Sequence, residues 1–496
     1  MNPDNASMPQ PNAAKPAHGL YDNLTRGRRI QILIAIAIGT FMGPLDSSVV
    51  NIALPTIRAG FHTSLGTVEW VIMSYLLVIS SLILTYGRLG DLYGHKRIYL
   101  SGFVIFTAGS LLCGMAPTIA LLITFRALQA IGAGMMMAMG PAIITDITPP
   151  RNRGKSLGII AVSVSVALTT GPVLGGFLTA RFGWPSIFFI NLPIGIIGSL
   201  WAAKVIPSIK GRQVESFDIK GAVTIFLALI SLLIPLSYAE KTGWRNPYIL
   251  GSLALGLGLL VLFVFMENRI KFPMVDLSLF RNRLFAMGNL SALINYMAAF
   301  SVILVMPFYL QQLRQMSPSQ AGLMLIPTPL ATMIVAPISG AISDRVDTRY
   351  LSSLGMAVTA FGMWLLSNLH INSSPLSIIV ALVIIGLGGG MFQTPNNSAI
   401  MGTVPPNRRG IASSFLATMR NIGMVLGVAI SGALFSGRLE YLNRVLTAKG
   451  LAGAELKVQA FTGAMHFTYL VGAALACAAV ITSLVRGPLN SNINKG

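Results

Sequence analysis

Acidic side chains are scarce: 15 Asp and Glu stand against 35 Lys and Arg in 496 residues, and charges of either sign make up only 10% of the chain. Soluble domains carry roughly a quarter of their residues as charges, so water cannot be the solvent for most of this surface. Cysteine is nearly absent. The two present, Cys113 and Cys477, both fall inside apolar runs, which excludes a disulfide framework and leaves no metal-ligand spacing. The five histidines (His18, His62, His95, His370 and His466) are scattered over the termini and loops, apart from the edge of the last apolar run. Neither a phosphate-cradling G-x-x-x-x-G-K loop nor H-E-x-x-H occurs. No catalytic, cofactor-binding or metal-binding residue is assigned, and an enzyme is not expected.

What is there is apolar: 54% hydrophobic residues and a mean hydropathy of +0.71. A helix needs about 20 apolar residues to cross hydrocarbon. On that rule there are about fourteen runs, near 30–53, 69–87, 98–116, 119–141, 156–180, 185–205, 218–238, 248–267, 284–310, 319–341, 350–368, 375–398, 411–435 and 467–486. The net charge of +20 is spread in small groups between these runs, not in one stripe, so a membrane topology explains it and nucleic acid is not an expected partner. With the amino terminus in the cytoplasm, one face collects most of the Arg and Lys, including Arg88, Arg97, Arg151, Arg345 and Arg409, and the other face has few outside a long loop near 438–457. The positive-inside rule then puts both termini in the cytoplasm. Residues 1 to about 25 are polar, and the first run is long enough to remain as a span, so a cleaved signal peptide is not expected.

Two stretches repeat. Gly87-Arg88-Leu89-Gly90-Asp91 with Gly94 and Arg97 is echoed by Gly340 to Arg349, which again has an acid, Asp344, four residues after its glycine; Pro149-Pro150-Arg151 is echoed by Pro405-Pro406-Asn407 at nearly the same offset. Matches in one register argue for a duplicated unit. The division that follows is 1–29 a disordered cytoplasmic tail, 30–205 a six-helix bundle, 206–217 a linker, 218–267 two inserted helices, 268–283 a linker, 284–486 a second six-helix bundle and 487–496 a tail. Parallel repeats place a transported molecule near the midplane, between the halves.

The loop from Gly87 to Arg97 resembles the signature between spans two and three of the major facilitator superfamily. Leu45-Asp46-Ser47-Ser48-Val49-Val50-Asn51 resembles the acidic motif, Arg126-Ala127-Leu128-Gln129 the arginine motif and Gly171-Pro172-Val173-Leu174-Gly175-Gly176 the antiport motif of its fourteen-span drug:proton antiporters. The resemblance implies an all-α integral membrane protein with two six-helix bundles and two extra helices between them. It implies a proton-coupled exporter of lipophilic, cationic or neutral drugs, driven by the proton gradient without a cofactor. Its setting would be the bacterial plasma membrane, as a monomer among lipid, with a periplasmic adaptor a compatible partner. The same fold could instead export an endogenous metabolite, lipid or siderophore, or take up an anion.

Asp46 lies deep in the first run, where a carboxylate must be protonated, paired or facing a wet cavity. It could alternate between a proton and a positive cargo, or be a structural carboxyl bonded to Asn51. Arg126 cannot shed its proton; it is read as coupling to Asp46 or as a tie to carbonyls and Gln129. Glu69, opening span two, is a proton relay or a solvated helix-start acid. Gly87, Arg88, Gly90, Asp91, Gly94, Arg97 and Asp344 form a gating loop or a basic turn. Gly171, Pro172, Gly175 and Gly176 seal one face or simply pack helices closely. Asn51, Gln129, Asn289, Asn295, Tyr296, Tyr309, Gln311, Asn396 and Arg420 are candidate cavity-lining groups, and Arg420 has no acid in the nearby spans of its half. One clearly buried acid argues for a low proton count and neutral or singly charged cargo.

Overall fold

The computed structural model describes residues 24–149, 153–208, 219–242, 246–270, 277–343, 345–404 and 409–487, with a few side chains inside the helices, Arg88 and Asp91 among them, left undescribed. The gating residue Asp344 lies outside the described residues, as do residues 1–23, 209–218, 271–276 and 488–496; the amino-terminal tail is shorter than expected, because the first helix already begins at Arg26. Apart from short 3-10 and π turns, the regular elements are α-helices: α1 (Arg26–Gly60), α2 (Leu65–Val68), α3 (Trp70–Tyr93), α4 (His95–Gly114), α5 (Ile119–Ile147), α6 (Arg153–Phe182), α7 (Ser186–Phe189) and α8 (Asn191–Val205) form the first half. An inserted pair follows, α9 (Ile219–Thr242) and α10 (Pro247–Glu267). The second half comprises α11 (Arg283–Phe308), α12 (Pro318–Leu325), α13 (Pro327–Ser343), α14 (Thr348–Ser367), α15 (Pro375–Gly402), α16 (Arg409–Ala448) and α17 (Gly453–Val485). Thirteen helical segments among the described residues are long and apolar enough to cross a membrane, and α9 adds a shorter apolar stretch, Val223–Leu232. The chain is a multi-pass membrane protein.

The halves share one packing plan. The pairs α4–α5, α1–α6, α3–α5, α4–α8 and α1–α8 recur as α14–α15, α11–α16, α13–α15, α14–α17 and α11–α17. Glycines at matching positions make it possible by letting backbones approach. Gly102 packs on Gly132 as Gly355 packs on Gly388, and Gly109 lies against Gln129 as Gly362 lies against Ile385. Gly171 and Gly175 lie on Ser48, Val49 and Ile52 of α1, as Gly423 and Gly427 lie on Leu293, Tyr296, Met297 and Phe300 of α11. The inserted helix α9 touches α3 from one half and α16 from the other, so the pair lies along one side of the seam.

Helix ends explain part of the basic excess on the face where α1 begins, here the basic face. Arg28 Nη2 donates to the carbonyl of Lys204 and Lys96 Nζ to that of Ala203, both at 2.8 Å. Two cations thus satisfy the last carbonyls of α8, where the helix dipole favours positive charge.

Two expectations are corrected. The Gly87–Arg97 segment is no extended turn: α3 runs through Tyr93, and the chain reverses at Gly94 alone, whose φ of 94° favours glycine. Gly87 and Gly90 are helical, and Gly90 leaves room for Met139 and His95. The long loop near 438–457 is mostly helix, because α16 reaches Ala448 and α17 starts at Gly453. Hydropathy marks only hydrocarbon thickness, and these helices continue beyond it.

Candidate functional site

The charged core of the first half is a closed network. Asp46 on α1 is ion-paired to Arg126 Nη1 on α5, with side-chain exposures of 0% and 1%. Its Oδ1 accepts from Gln129 Nε2 and Asn191 Nδ2, each at 2.9 Å. Arg126 also donates through Nη1 to Gln129 Oε1 at 2.7 Å and through Nε to the carbonyl of Val71 at 3.0 Å, and its guanidinium stacks 4.1 Å from the centre of the Tyr75 ring. Ser110 accepts from both amides, Gln129 at 3.1 Å and Asn191 at 3.0 Å, and donates to the carbonyl of Phe188 at 2.9 Å. The Cys113 thiol points at Gln129 Oε1.

The bracing decides the chemistry. A buried ion pair is tolerated when its remaining donors and acceptors are satisfied, and here four helices of one half supply them. Neither partner is held by Asn51, the bonding expected on the structural reading of Asp46; Asn51 Oδ1 has no partner among the described residues. Nor is Asp46 open to a bound cation. The expected contest between proton and cargo at this one carboxylate is therefore not the arrangement seen: three donors already fill its oxygens. Gln129, expected to line a cavity, instead bridges acid and base. Sequence reading missed Asn191, Ser110 and Tyr75, which come from three other helices; the polar Asn191 just after a tryptophan-bearing loop was the only signal.

Matched position by position, the second half lacks this core. The glycine register pairs Arg126 with Leu382 and Gln129 with Ile385, and it sets Asp46 against Ile294.

The remaining candidates separate into three places. At the end of the molecule where α1 finishes, here the far face, the halves are joined: Gln311 Nε2 donates to the carbonyl of Ile52 at 2.8 Å, Ser319 Oγ to that of Gly176 at 3.3 Å, and Arg58 Nη1 to Gln312 Oε1 at 3.4 Å. Both glutamines sit in a π turn, Tyr309–Leu313, that ends α11. The antiport motif divides its labour: Gly171 and Gly175 pack within the first half, while Pro172 and Gly176 meet Gly322 and Pro318 of α12. Glu69, buried at the α2–α3 junction, lies against Gly432 of α16, so it too sits between halves.

Tyr309 lines no cavity; it is fully buried and donates to the carbonyl of His370 at 2.7 Å. Asn396 is likewise structural. It accepts from Arg486 Nη1 at 2.9 Å and donates to the carbonyl of Gly288 at 3.1 Å, while Arg486 Nη2 reaches Ser352 Oγ at 3.3 Å. Arg486 went unnoticed in the sequence because it closes the last apolar run. Burial, opposed by nearby Asp347 and reinforced by Arg349, pushes its pKa down to about 10. Asp146 is paired with His95 Nδ1 at 2.6 Å. Asn289 and Asn295 are buried in α11, Tyr296 is hydrogen-bonded to Gln393, and Arg420 is half-buried in α16. Arg97 is exposed. No group of three or more His, Cys, Asp or Glu that could hold a metal occurs among the described residues.

Comparison with known proteins adds four findings. The profile of the Major Facilitator Superfamily matches residues 36–428 and 288–488. The riboflavin transporter RibZ of Clostridioides difficile (strain 630) is 40% identical over 418 residues, 83% of this chain and 89% of that protein. The multidrug resistance protein Stp of Mycobacterium tuberculosis (strain CDC 1551 / Oshkosh) is 33% identical over 408 residues, 82% of this chain and 76% of that one. Among solved structures, a bacterial homolog of the human lysosomal transporter Spinster, inward-facing and unoccupied, superposes with a TM-score of 0.69 at 17% identity, over 93% of this chain and 99% of that one.

Proposed function

Because the chain belongs to the Major Facilitator Superfamily, we propose that it is a fourteen-span, proton-coupled exporter of lipophilic compounds that works by alternating access. It sits in the bacterial plasma membrane with both termini cytoplasmic, acts as a monomer and uses no cofactor. One observation carries the reading: Asp46 and Arg126 form a fully braced ion pair inside one half. An acid so held can release or take a proton only when its bracing changes, so protonation is tied to a rearrangement of that half and acts on cargo at a distance. Closure at the far face leaves the cargo path facing the cytoplasm, with Glu69 buried in the seam as a second proton group. The Gly87–Arg97 segment and Asp344 steady the opposite closure.

A second reading has a specific support, the 40% identity to a protein named a riboflavin transporter. On that reading the cargo is a polar, planar metabolite. Inside-out vesicles with an imposed pH gradient, followed by quenching of an acridine dye, test both. Fluorescence recovery on adding tetraphenylphosphonium or another lipophilic drug, absent in Asp46→Asn, supports drug:proton exchange. Recovery with riboflavin alone favours the metabolite, and recovery with neither removes proton coupling.

A further inference from the structure

The two halves share a glycine frame but differ in where each keeps its arginine. In α6, Gly171 and Gly175 pack on α1, while Pro172 and Gly176 face the opposite half. Leu168, three residues before Gly171 and four before Pro172, therefore lies on the edge between those two helix faces, one turn nearer the basic face. Leu168 is 41% exposed there. In α16 the same frame is formed by Gly423 and Gly427 on α11, and the residue three before Gly423 is Arg420. Arg420 thus occupies, in the second half, the edge that Leu168 leaves exposed in the first.

Its surroundings leave the charge unanswered. The guanidinium is half-buried about 16 Å into α16 from Arg409, and its Nε has no hydrogen-bond partner among the described residues. Of the four acids of the second half, Asp344 is outside the described residues, and Asp347, Glu440 and Glu455 lie toward helix ends. Asp46 is taken by Arg126. One intramembrane arginine is neutralised within its half, and the other is left for something that comes and goes.

We propose that Arg420 is the cargo-docking residue of the second half, and that it selects molecules bearing a delocalised oxyanion, such as a carboxylate or a phenolate. A planar guanidinium matches that geometry with paired hydrogen bonds. This rests on the exporter reading and narrows its cargo, since a free arginine at this edge repels the lipophilic cations the family resemblance suggests.

Two dyes on one xanthene scaffold provide the test: fluorescein, an anion, and rhodamine 123, a cation. Anisotropy of each dye on purified wild type, Arg420→Gln and Arg420→Lys measures binding without any gradient, with thermal unfolding as the folding check. The expected result is tenfold or tighter binding of fluorescein than of rhodamine 123 by wild type, a tenfold or greater loss for fluorescein in Arg420→Gln, partial rescue in Arg420→Lys and rhodamine 123 changed less than twofold. Equal loss for both dyes in a folded variant, or a wild type that prefers the cation, overturns the assignment. Gradient-driven transport in proteoliposomes is read separately: fluorescein that binds through Arg420 but is not moved by a pH gradient removes the exporter reading and leaves the docking residue standing.

Discussion

Gln311 and Ile52 join the two halves through a 2.8 Å hydrogen bond from the glutamine amide to a backbone carbonyl of α1. The donor sits on a π turn, the kind of local overwinding often found at functional positions. Gln311→Leu keeps the bulk and removes the bond, which is worth about 1 kcal/mol. The expected outcome is a severalfold shift toward a separated far face, read as faster labelling of a cysteine introduced at Ser47; unchanged labelling would show that the bond does not hold the halves together.

Gly322 allows a closer approach than any side chain permits. A methyl group there would overlap the carbonyl oxygen of Pro172, and backbone does not yield as a flexible side chain does. Gly322→Ala should express and insert normally yet block closure of the far face, with efflux falling at least tenfold. Spin-label distances across the far face are the measurement, and a wild-type distribution would contradict the assignment.

Asp46→Asn retains one oxygen to accept from Gln129 and Asn191 but sets a donor NH2 against Arg126 and strips it of its counter-charge. Removing one member of a buried pair costs about 3–5 kcal/mol. A lower unfolding temperature in detergent is expected, together with dye binding that survives and gradient-driven transport that does not. Normal transport by this variant would take Asp46 out of coupling.

Arg486 has a pKa pushed down to about 10. For a cation whose folded pKa lies below its unfolded one, stability rises as pH climbs from about 10 toward the unfolded value and is flat below. Unfolding temperature should accordingly show no pH dependence from this group between pH 6 and 9. Arg486→Gln, which can still reach Asn396, should lose less stability than Arg486→Ala, which strands it; equal losses would mean that the hydrogen bonds contribute nothing.

Charge movement separates cargo classes. One proton entering as a monocation leaves is electroneutral, whereas a proton entering as a monoanion leaves moves two positive charges inward, each worth about 2.3 kcal/mol per 100 mV. Transport of fluorescein should therefore accelerate under an imposed inside-negative potential, and transport of rhodamine 123 should not. A potassium diffusion gradient set with valinomycin provides the test.

How much of this was legible depended on distance along the chain. Apolar runs, the duplicated loops and the buried acid and arginine are local signals, and the helices lie where those signals put them. The bracing of Asp46 was not legible: Ser110 and Asn191 lie 64 and 145 positions away in sequence and look like ordinary polar residues in apolar surroundings. Gly171 and Gly176 carry the same letter, yet one packs on its own half and the other on the opposite half; only helix phase tells them apart. The π turn at Tyr309 and the extra turns of α16 left no trace in hydropathy, which registers solvent and not backbone geometry.

Those extra turns give the molecule a handle. At 40 residues, α16 is about 60 Å long, twice the roughly 30 Å of hydrocarbon it must cross. Its far-side end is braced against α17 by the edge-on rings of Phe435 and Phe461, centred 5.0 Å apart. A stiff antiparallel hairpin standing clear of the bilayer is a natural epitope, and an antibody fragment raised against it would add rigid mass for imaging without touching the route taken by cargo.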